Sequence, residues 1–177
     1  AGKLACADRD VYIADPDFSP FPVDTLLDAD YIAGRAALIN PSGAMSDAQA
    51  GNPLGQSPGL GRDRSPELPS TTHLSVVDAS GNVVSMTTSV ESAFGSKIMV
   101  RGFLLNNQLT DFSLDGTDEA GMLVANGVEP GKRPRSSMAP MIVLRDGKPY
   151  MAIGAPGGPF IISFVAKTLL GVLGWGL

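Results

Sequence analysis

Two β-rich runs joined by a three-residue loop constrain this chain more than any other feature. Thr72, Leu74 and Val76 alternate with Thr71, His73, Ser75 and Val77, and residues 83–90 form a second run rich in valine, serine and threonine, the pattern of strands with two unlike faces. Between them, Ala79-Ser80-Gly81 puts glycine at the left-handed position that such a hairpin loop requires, so that Asp78 faces Asn82. That turn sets the register. Val77 pairs with Val83, Ser75 with Ser85, His73 with Thr87 and Thr71 with Ser89. One face then collects Thr71, His73, Ser75, Ser85, Thr87 and Ser89, with Glu91 one diagonal step past Thr71. The other face holds Leu74, Val76, Val84, Met86 and Val90. A two-residue loop would shift the pairing by one and carry Ser89 away from Thr71. Taken alone, the hydroxyl-rich face reads as a solvent-facing surface or as a site.

The chain ahead of the hairpin divides into helix, helix and loop. Leu4, Ala5, Ala7, Val11 and Tyr12 recur at roughly helical spacing and stop before Asp15-Pro16-Asp17, where proline disfavours helix at the preceding residue. Asp28 is the expected N-cap of a short packing helix over 29–39, with Tyr31, Ile32, Ala36, Leu38 and Ile39 as its apolar stripe and Asn40-Pro41 as its stop. Residues 40–70 contain five prolines and five glycines and few large apolar side chains, which predicts a long flexible linker. Near the other end, 160–173 is largely apolar but interrupted by Lys167 and glycine. It is too short for a membrane span, and a buried helix is expected.

Composition narrows the function classes. With 44% hydrophobic and 18% charged residues over 177 positions, a globular core is expected rather than disorder throughout. The net charge of −5 and a single basic patch, Lys132-Arg133-Pro134-Arg135, provide no electrostatic footprint for a nucleic acid. One cysteine, Cys6, excludes an intrachain disulfide, and with His73 as the one histidine neither a Cys-rich nor a His-based metal site is expected. No cofactor is called for. No basic, then apolar, then small-residue pattern opens this sequence, so a secretory signal is either absent or lies outside it.

The chemistry centres on the junction before the first strand. A hydroxyl is a weak nucleophile until a base takes its proton, and the nearby side-chain base of suitable pKa is His73. A cut between Ser70 and Thr71 would create a second base, because the new α-amino group, with a pKa of about 7.7–8.0, would sit on the nucleophile's own residue. The approach through Pro66 and Pro69 suits a backbone that must bend for the Thr71 hydroxyl to attack the Ser70 carbonyl.

Four motifs in order carry a family resemblance. Thr71-Thr72-His73-Leu74-Ser75-Val76-Val77-Asp78, Phe103-Leu104-Leu105-Asn106-Asn107-Gln108-Leu109-Thr110-Asp111-Phe112-Ser113, Lys132-Arg133-Pro134-Arg135-Ser136-Ser137-Met138-Ala139-Pro140 and Gly154-Ala155-Pro156-Gly157-Gly158 resemble successive motifs of the γ-glutamyltransferase family. Residues 5–39 resemble the end of that family's large subunit. The resemblance implies an α+β chain, part of the four-layer αββα sandwich of an N-terminal nucleophile hydrolase. It also implies a precursor cut autocatalytically between Ser70 and Thr71, with 1–70 closing the large subunit and 71–177 opening the small one. Thr71 matches the nucleophile that takes the γ-glutamyl group and passes it to water or an acceptor amine. Ser89 matches a hydroxyl bonded to the nucleophile, and Gly157 and Gly158 match the turn whose N–H groups form an oxyanion hole. Asp111, with Gln108 beside it, matches the carboxylate that holds the substrate's α-amino group, and Ser136 and Ser137 match hydroxyls that bind its α-carboxylate.

Two departures bear on function. Glu91 stands where characterised transferases commonly have asparagine, and a carboxylate there would repel a substrate α-carboxylate while favouring an amine. β-Lactam acylases of the same superfamily are therefore the competing expectation. Segment 114–131 is also short for the loop that covers the pocket in some members. Members are much longer than this chain, and an arginine expected to clamp the substrate carboxylate belongs to the amino-terminal part of the large subunit. A truncated, non-catalytic homologue is the third expectation. The implied partners are a γ-glutamyl small molecule or peptide, an acceptor amine or water, and the large-subunit remainder of the same precursor. The implied location is periplasmic or extracellular.

Overall fold

The computed structural model describes residues 1–19, 21–56, 59–68 and 70–177, so Pro69 of the expected approach lies outside the described residues. In chain order the helices are α1 (Gly2–Tyr12), α2 (Ala29–Ala37) and α3 (Ile161–Leu169). The strands are β1 (Leu60–Gly61), β2 (Thr72–Val77), β3 (Val83–Thr88), β4 (Met99–Val100), β5 (Phe103–Leu104), β6 (Leu123–Val124), β7 (Met141–Arg145) and β8 (Lys148–Ile153). They fall into two compact units, Ala1–Ser65 with Leu109–Arg135, and Pro66–Gln108 with Ser136–Leu177. This division differs in kind from the expected subunit boundary, which concerns where the backbone is cut.

In the first unit, α1 supplies the core because Leu4, Ala7, Asp8, Val11 and Tyr12 fall on one face at helical spacing. Leu4 and Ala7 pack with Ala48 and Met45, whereas Val11 and Tyr12 pack with Phe21, Val23, Leu26, Ala50 and Leu60. The Tyr12 ring stacks on Phe21 at 4.3 Å between centroids, and its hydroxyl donates to the Gly51 carbonyl at 2.6 Å. Residues 45–51 of the irregular stretch thus lie against α1. As expected, Asp28 caps α2, accepting from the N–H groups of Asp30 and Tyr31. The expected apolar stripe of α2 is not buried, however, and Ile32 and Leu38 are half exposed. What ties α2 down is Arg35, whose guanidinium meets the Asp8 carboxylate at 2.9 and 3.1 Å and also donates to the Leu4 and Gln49 carbonyls.

Polar ties hold the rest of this unit. Arg133 donates to Asp15 from its backbone and guanidinium, and these bonds hold the Asp15 carboxyl well below the usual carboxylate range. Deeper in, Arg135 pairs with Asp63 at 3.1 Å with both side chains buried. Asn126 joins them, donating to Asp63 and to the Asp111 carbonyl and accepting from the Arg135 N–H. Burial alone would push Asp63 up, but the hydrogen bonds from Ser65 and Asn126 and the charge of Arg135 outweigh it and hold this carboxyl low.

The second unit is built on two hairpins. β2 and β3 pair antiparallel with Val77 opposite Val83, Ser75 opposite Ser85 and His73 opposite Thr87, the register that the turn dictates. Gly81 is left-handed at φ 82°, and the Asp78 carboxylate accepts from the N–H groups of Ser80 and Asn82. β7 and β8 form the other hairpin, through an Asp146-Gly147 turn with φ 52° and 73°. It packs on β3. Ser85 donates to the Ile153 carbonyl at 3.1 Å, and a Cβ on Gly154 would lie 2.2 Å from the His73 ring. The hydroxyl-bearing face of the first hairpin is therefore the half-covered one. Leu74, Val76, Val84 and Met86 face outward.

The expectation of a buried helix over 160–173 needs correction. Only Ile161 and Val165 of α3, and Gly171 of the π-helical turn that follows, are buried, because one narrow stripe meets the unit. Phe160, Phe164, Leu170 and Leu173 are half exposed or more. Among the described residues no helix is long and apolar enough to cross a membrane.

Candidate active site

The end of the approach segment and the two strand ends beside it form the candidate site. Thr71 immediately precedes β2 and Ser89 immediately follows β3, so the register that pairs Thr72 with Thr88 brings both to the same end of the hairpin. Between them lies the Ser70 carbonyl. It accepts from Thr71 Oγ1 at 2.7 Å and from Ser89 Oγ at 2.8 Å. Ser89 Oγ in turn accepts from the Glu91 N–H at 2.8 Å. The sequence N–H to hydroxyl to carbonyl orients the Ser89 proton toward the Ser70 oxygen. Two donors on one carbonyl oxygen polarise it, which makes its carbon a better electrophile.

Glu91 reaches this arrangement through an unusual backbone. Its φ is 70°, a left-handed conformation that side-chain-bearing residues rarely adopt and that concentrates at functional sites, and the residue is 5% exposed. Asn107 secures the bend. Its amide Nδ2 donates to the Glu91 carboxylate in a short contact, its Oδ1 accepts from the Ser92 N–H at 3.0 Å, and its own N–H donates to the Val90 carbonyl. Asn107 was not singled out from the sequence as a site residue, although it stands beside Gln108 in one of the motifs.

A cavity of about 260 Å³ opens here, lined among others by Ser70, Thr71, Thr88, Ser89, Glu91 and Ser92. It is slightly smaller than an ordinary small-molecule pocket of about 300–1,000 Å³. Ser70 Oγ is buried without a hydrogen-bond partner among the described residues.

The other expected site residues divide. His73 is occupied elsewhere, with Nδ1 at 2.9 Å from Thr87 Oγ1 and Nε2 at 3.1 Å from Ser75 Oγ, so it is not bonded to the Thr71 hydroxyl. Gly157 and Gly158 form a left-handed turn, φ 135° and 55°, leading into α3. A Cβ on Gly157 would meet the Phe164 ring at 2.9 Å. Ser136 Oγ accepts from the Met138 N–H, and Ser137 Oγ donates to the Glu67 carboxylate at 3.3 Å. These four residues belong to the same unit as Thr71 but do not line the cavity. Gln108 and Asp111 sit on a 3-10 turn, and Asp111 belongs to the first unit. Among the described residues no group of three or more His, Cys, Asp or Glu side chains is placed to hold a metal ion.

The comparisons with known proteins agree on one family. A family model described as Gamma-glutamyltranspeptidase matches residues 1–177. The chain is 42% identical to the glutathione hydrolase proenzyme of Bacillus subtilis (strain 168) over 98% of its own length and 30% of that protein's. It is 35% identical to the Acylase ACY 1 proenzyme of Pseudomonas sp. (strain SE83), over 97% of this chain and 28% of that one. Among solved structures, the gamma-glutamyltranspeptidase of Pseudomonas nitroreducens complexed with L-DON aligns with a TM-score of 0.53 at 42% identity, covering 60% of this chain and 58% of that chain. The mixed helix-and-strand architecture accordingly matches part of the N-terminal nucleophile hydrolase fold. The chain spans about 30% of the length of the curated hydrolase it matches, and over all of its own length it belongs to the gamma-glutamyltranspeptidase family.

Proposed function

We propose that this chain carries the self-cleavage site and the nucleophile of a γ-glutamyl-transferring or γ-glutamyl-hydrolysing proenzyme. The observation that carries this reading is the doubly bonded Ser70 carbonyl beside the Thr71 hydroxyl. In self-cleavage Thr71 Oγ1 passes its proton to a water molecule, which later returns it to the Thr71 nitrogen, and attacks the Ser70 carbonyl carbon; the carbonyl oxygen takes the charge, and Ser89 donates to it. The C–N bond then breaks as the nitrogen takes a proton, leaving an ester on Thr71 Oγ1. Water hydrolyses that ester, releasing Ser70 as a carboxylate and Thr71 with a free α-amino group. Residues 1–70 then close the large subunit and 71–177 open the small one.

The freed amine removes the need for a side-chain base, which suits a site where His73 is held by Thr87 and Ser75. In turnover Thr71 Oγ1 takes the γ-glutamyl group as an ester and yields it to water or an acceptor amine. Gly157 and Gly158 supply oxyanion-hole N–H groups, Asp111 and Gln108 hold the α-amino group, and Ser136 and Ser137 hold the α-carboxylate. A periplasmic or extracellular location accompanies this reading.

A related amide or β-lactam acylase is the second reading, favoured by the buried Glu91 carboxylate at the cavity, which opposes a substrate carboxylate, and by the likeness to an acylase proenzyme. Release of a chromogenic amine by the full-length protein separates the two. Faster release from a γ-glutamyl anilide than from a glutaryl anilide is the expected result. The reverse order would transfer the assignment to the acylases, and no release from either would leave a non-catalytic homologue.

A further inference from the structure

We infer that Glu67 is a positioning residue for self-cleavage, mooring the uncut approach segment on the Ser137 hydroxyl. The inference rests on the proposed function, because Ser137 is there assigned to the substrate's α-carboxylate. Ser137 is 7% exposed, and its Oγ donates to Glu67 Oε2 at 3.3 Å. The group it meets in the uncut chain is thus a carboxylate, the same functional group that the substrate would bring. Glu67 is itself half-buried, and a carboxylate withdrawn from water is retained where a donor compensates it.

The tether explains why the mooring matters. Three chain steps, with two residues between, lead from Glu67 to Ser70 and can span at most about 10–11 Å, so fixing Glu67 restricts where the Ser70 carbonyl can travel. That carbonyl must stay between the Thr71 and Ser89 hydroxyls for the attack to succeed, and holding reacting groups in register is a large part of catalysis. The contact is also loose. At 3.3 Å it exceeds the roughly 2.5–2.7 Å of a tight hydroxyl–carboxylate bond, which suits a tie to be surrendered once the chain is cut. Ser137 therefore serves in turn the precursor's own carboxylate and the substrate's.

The test follows cutting of the full-length protein by intact mass over time. Glu67→Ala should slow cutting by about tenfold or more, the scale of one hydrogen bond to a charged group, and added acetate should not restore the rate, because a free carboxylate on Ser137 does not reconnect the tether. Glu67→Gln, which keeps an acceptor without the charge, should fall between and carries the test should the alanine variant fail to fold. Ser137→Ala should slow cutting similarly, and the effect of the double variant Glu67→Ala/Ser137→Ala should fall well short of the product of the two single effects, because both remove the contact they share. Native-rate cutting by the Glu67 variants, restoration of the alanine variant by free acetate, or multiplying effects would each overturn the mooring. The underlying substrate reading fails separately: a cut Ser137→Ala enzyme with native KM for a γ-glutamyl anilide would remove Ser137 from the substrate site while leaving the mooring in place.

Discussion

The Ser89 hydroxyl accepts from the Glu91 N–H, so its own proton is directed at the Ser70 oxygen. Removing it leaves a buried N–H without its acceptor and the Ser70 carbonyl with one donor instead of two. Ser89→Ala should therefore slow cutting of the full-length protein by about 10²–10³-fold, the range for loss of one oxyanion donor. A time course of intact mass reads this directly, and cutting at the native rate would deny Ser89 that role. That Ser89 and Thr71 meet at the same end of the hairpin was legible, because a three-residue loop at Ala79-Ser80-Gly81 sets the register that pairs Thr72 with Thr88. The tie between Glu91 and Asn107 was not, because those residues are sixteen positions apart and meet only through a left-handed bend that no local pattern announces.

At the scale of elements, the hairpin was legible but the burial of its faces was not. Alternation reports that two faces differ, and which of them is covered depends on the neighbour. Here β8 lies over the hydroxyl face, tied by Ser85 to Ile153 and by the close approach of Gly154 to His73. The second hairpin had a readable signal in Asp146-Gly147, the residues that a tight two-residue turn favours. Gly154→Ala should test the contact between the hairpins. A Cβ 2.2 Å from the imidazole forces the ring off Thr87 and Ser75, at a cost of about 1–3 kcal/mol. The denaturation midpoint should fall with an unchanged slope, and an alanine variant with the native midpoint would contradict this packing.

In the first unit, the tie between Arg133 and Asp15 makes a pH prediction. The folded pKa of Asp15 is depressed below its unfolded value of about 3.9. Its contribution to stability is therefore complete above that value and is lost as pH falls through the folded pKa. Asp15→Asn should lower the melting temperature of the full-length protein at neutral pH, and the gap from the native protein should close as pH falls below about 4. A gap that stays constant down to strongly acidic pH would show that the carboxylate's charge is not what stabilises this region.

Across the whole chain, helix positions were easier to read than what the helices bury. Asp28 and the stops at Asp15-Pro16 and Asn40-Pro41 bound α1 and α2 through local chemistry. Ile32 of α2, Leu38 just after it, Phe164 of α3, and Val76 and Val84 of the first hairpin are nonetheless exposed, since burial is decided by partners distant in sequence. The chain spans about 30% of the length of the curated hydrolase it matches, and the proposed chemistry belongs to the full-length protein. The central claim is that Thr71 cuts its own chain and then serves as the nucleophile, and intact mass of the full-length protein tests it most directly. The native protein should resolve into two species, the smaller beginning at Thr71, while Thr71→Ala should remain one uncut chain without turnover. A native protein that stays whole while releasing γ-glutamyl products, or a Thr71→Ala variant that still cuts or turns over, would contradict the account.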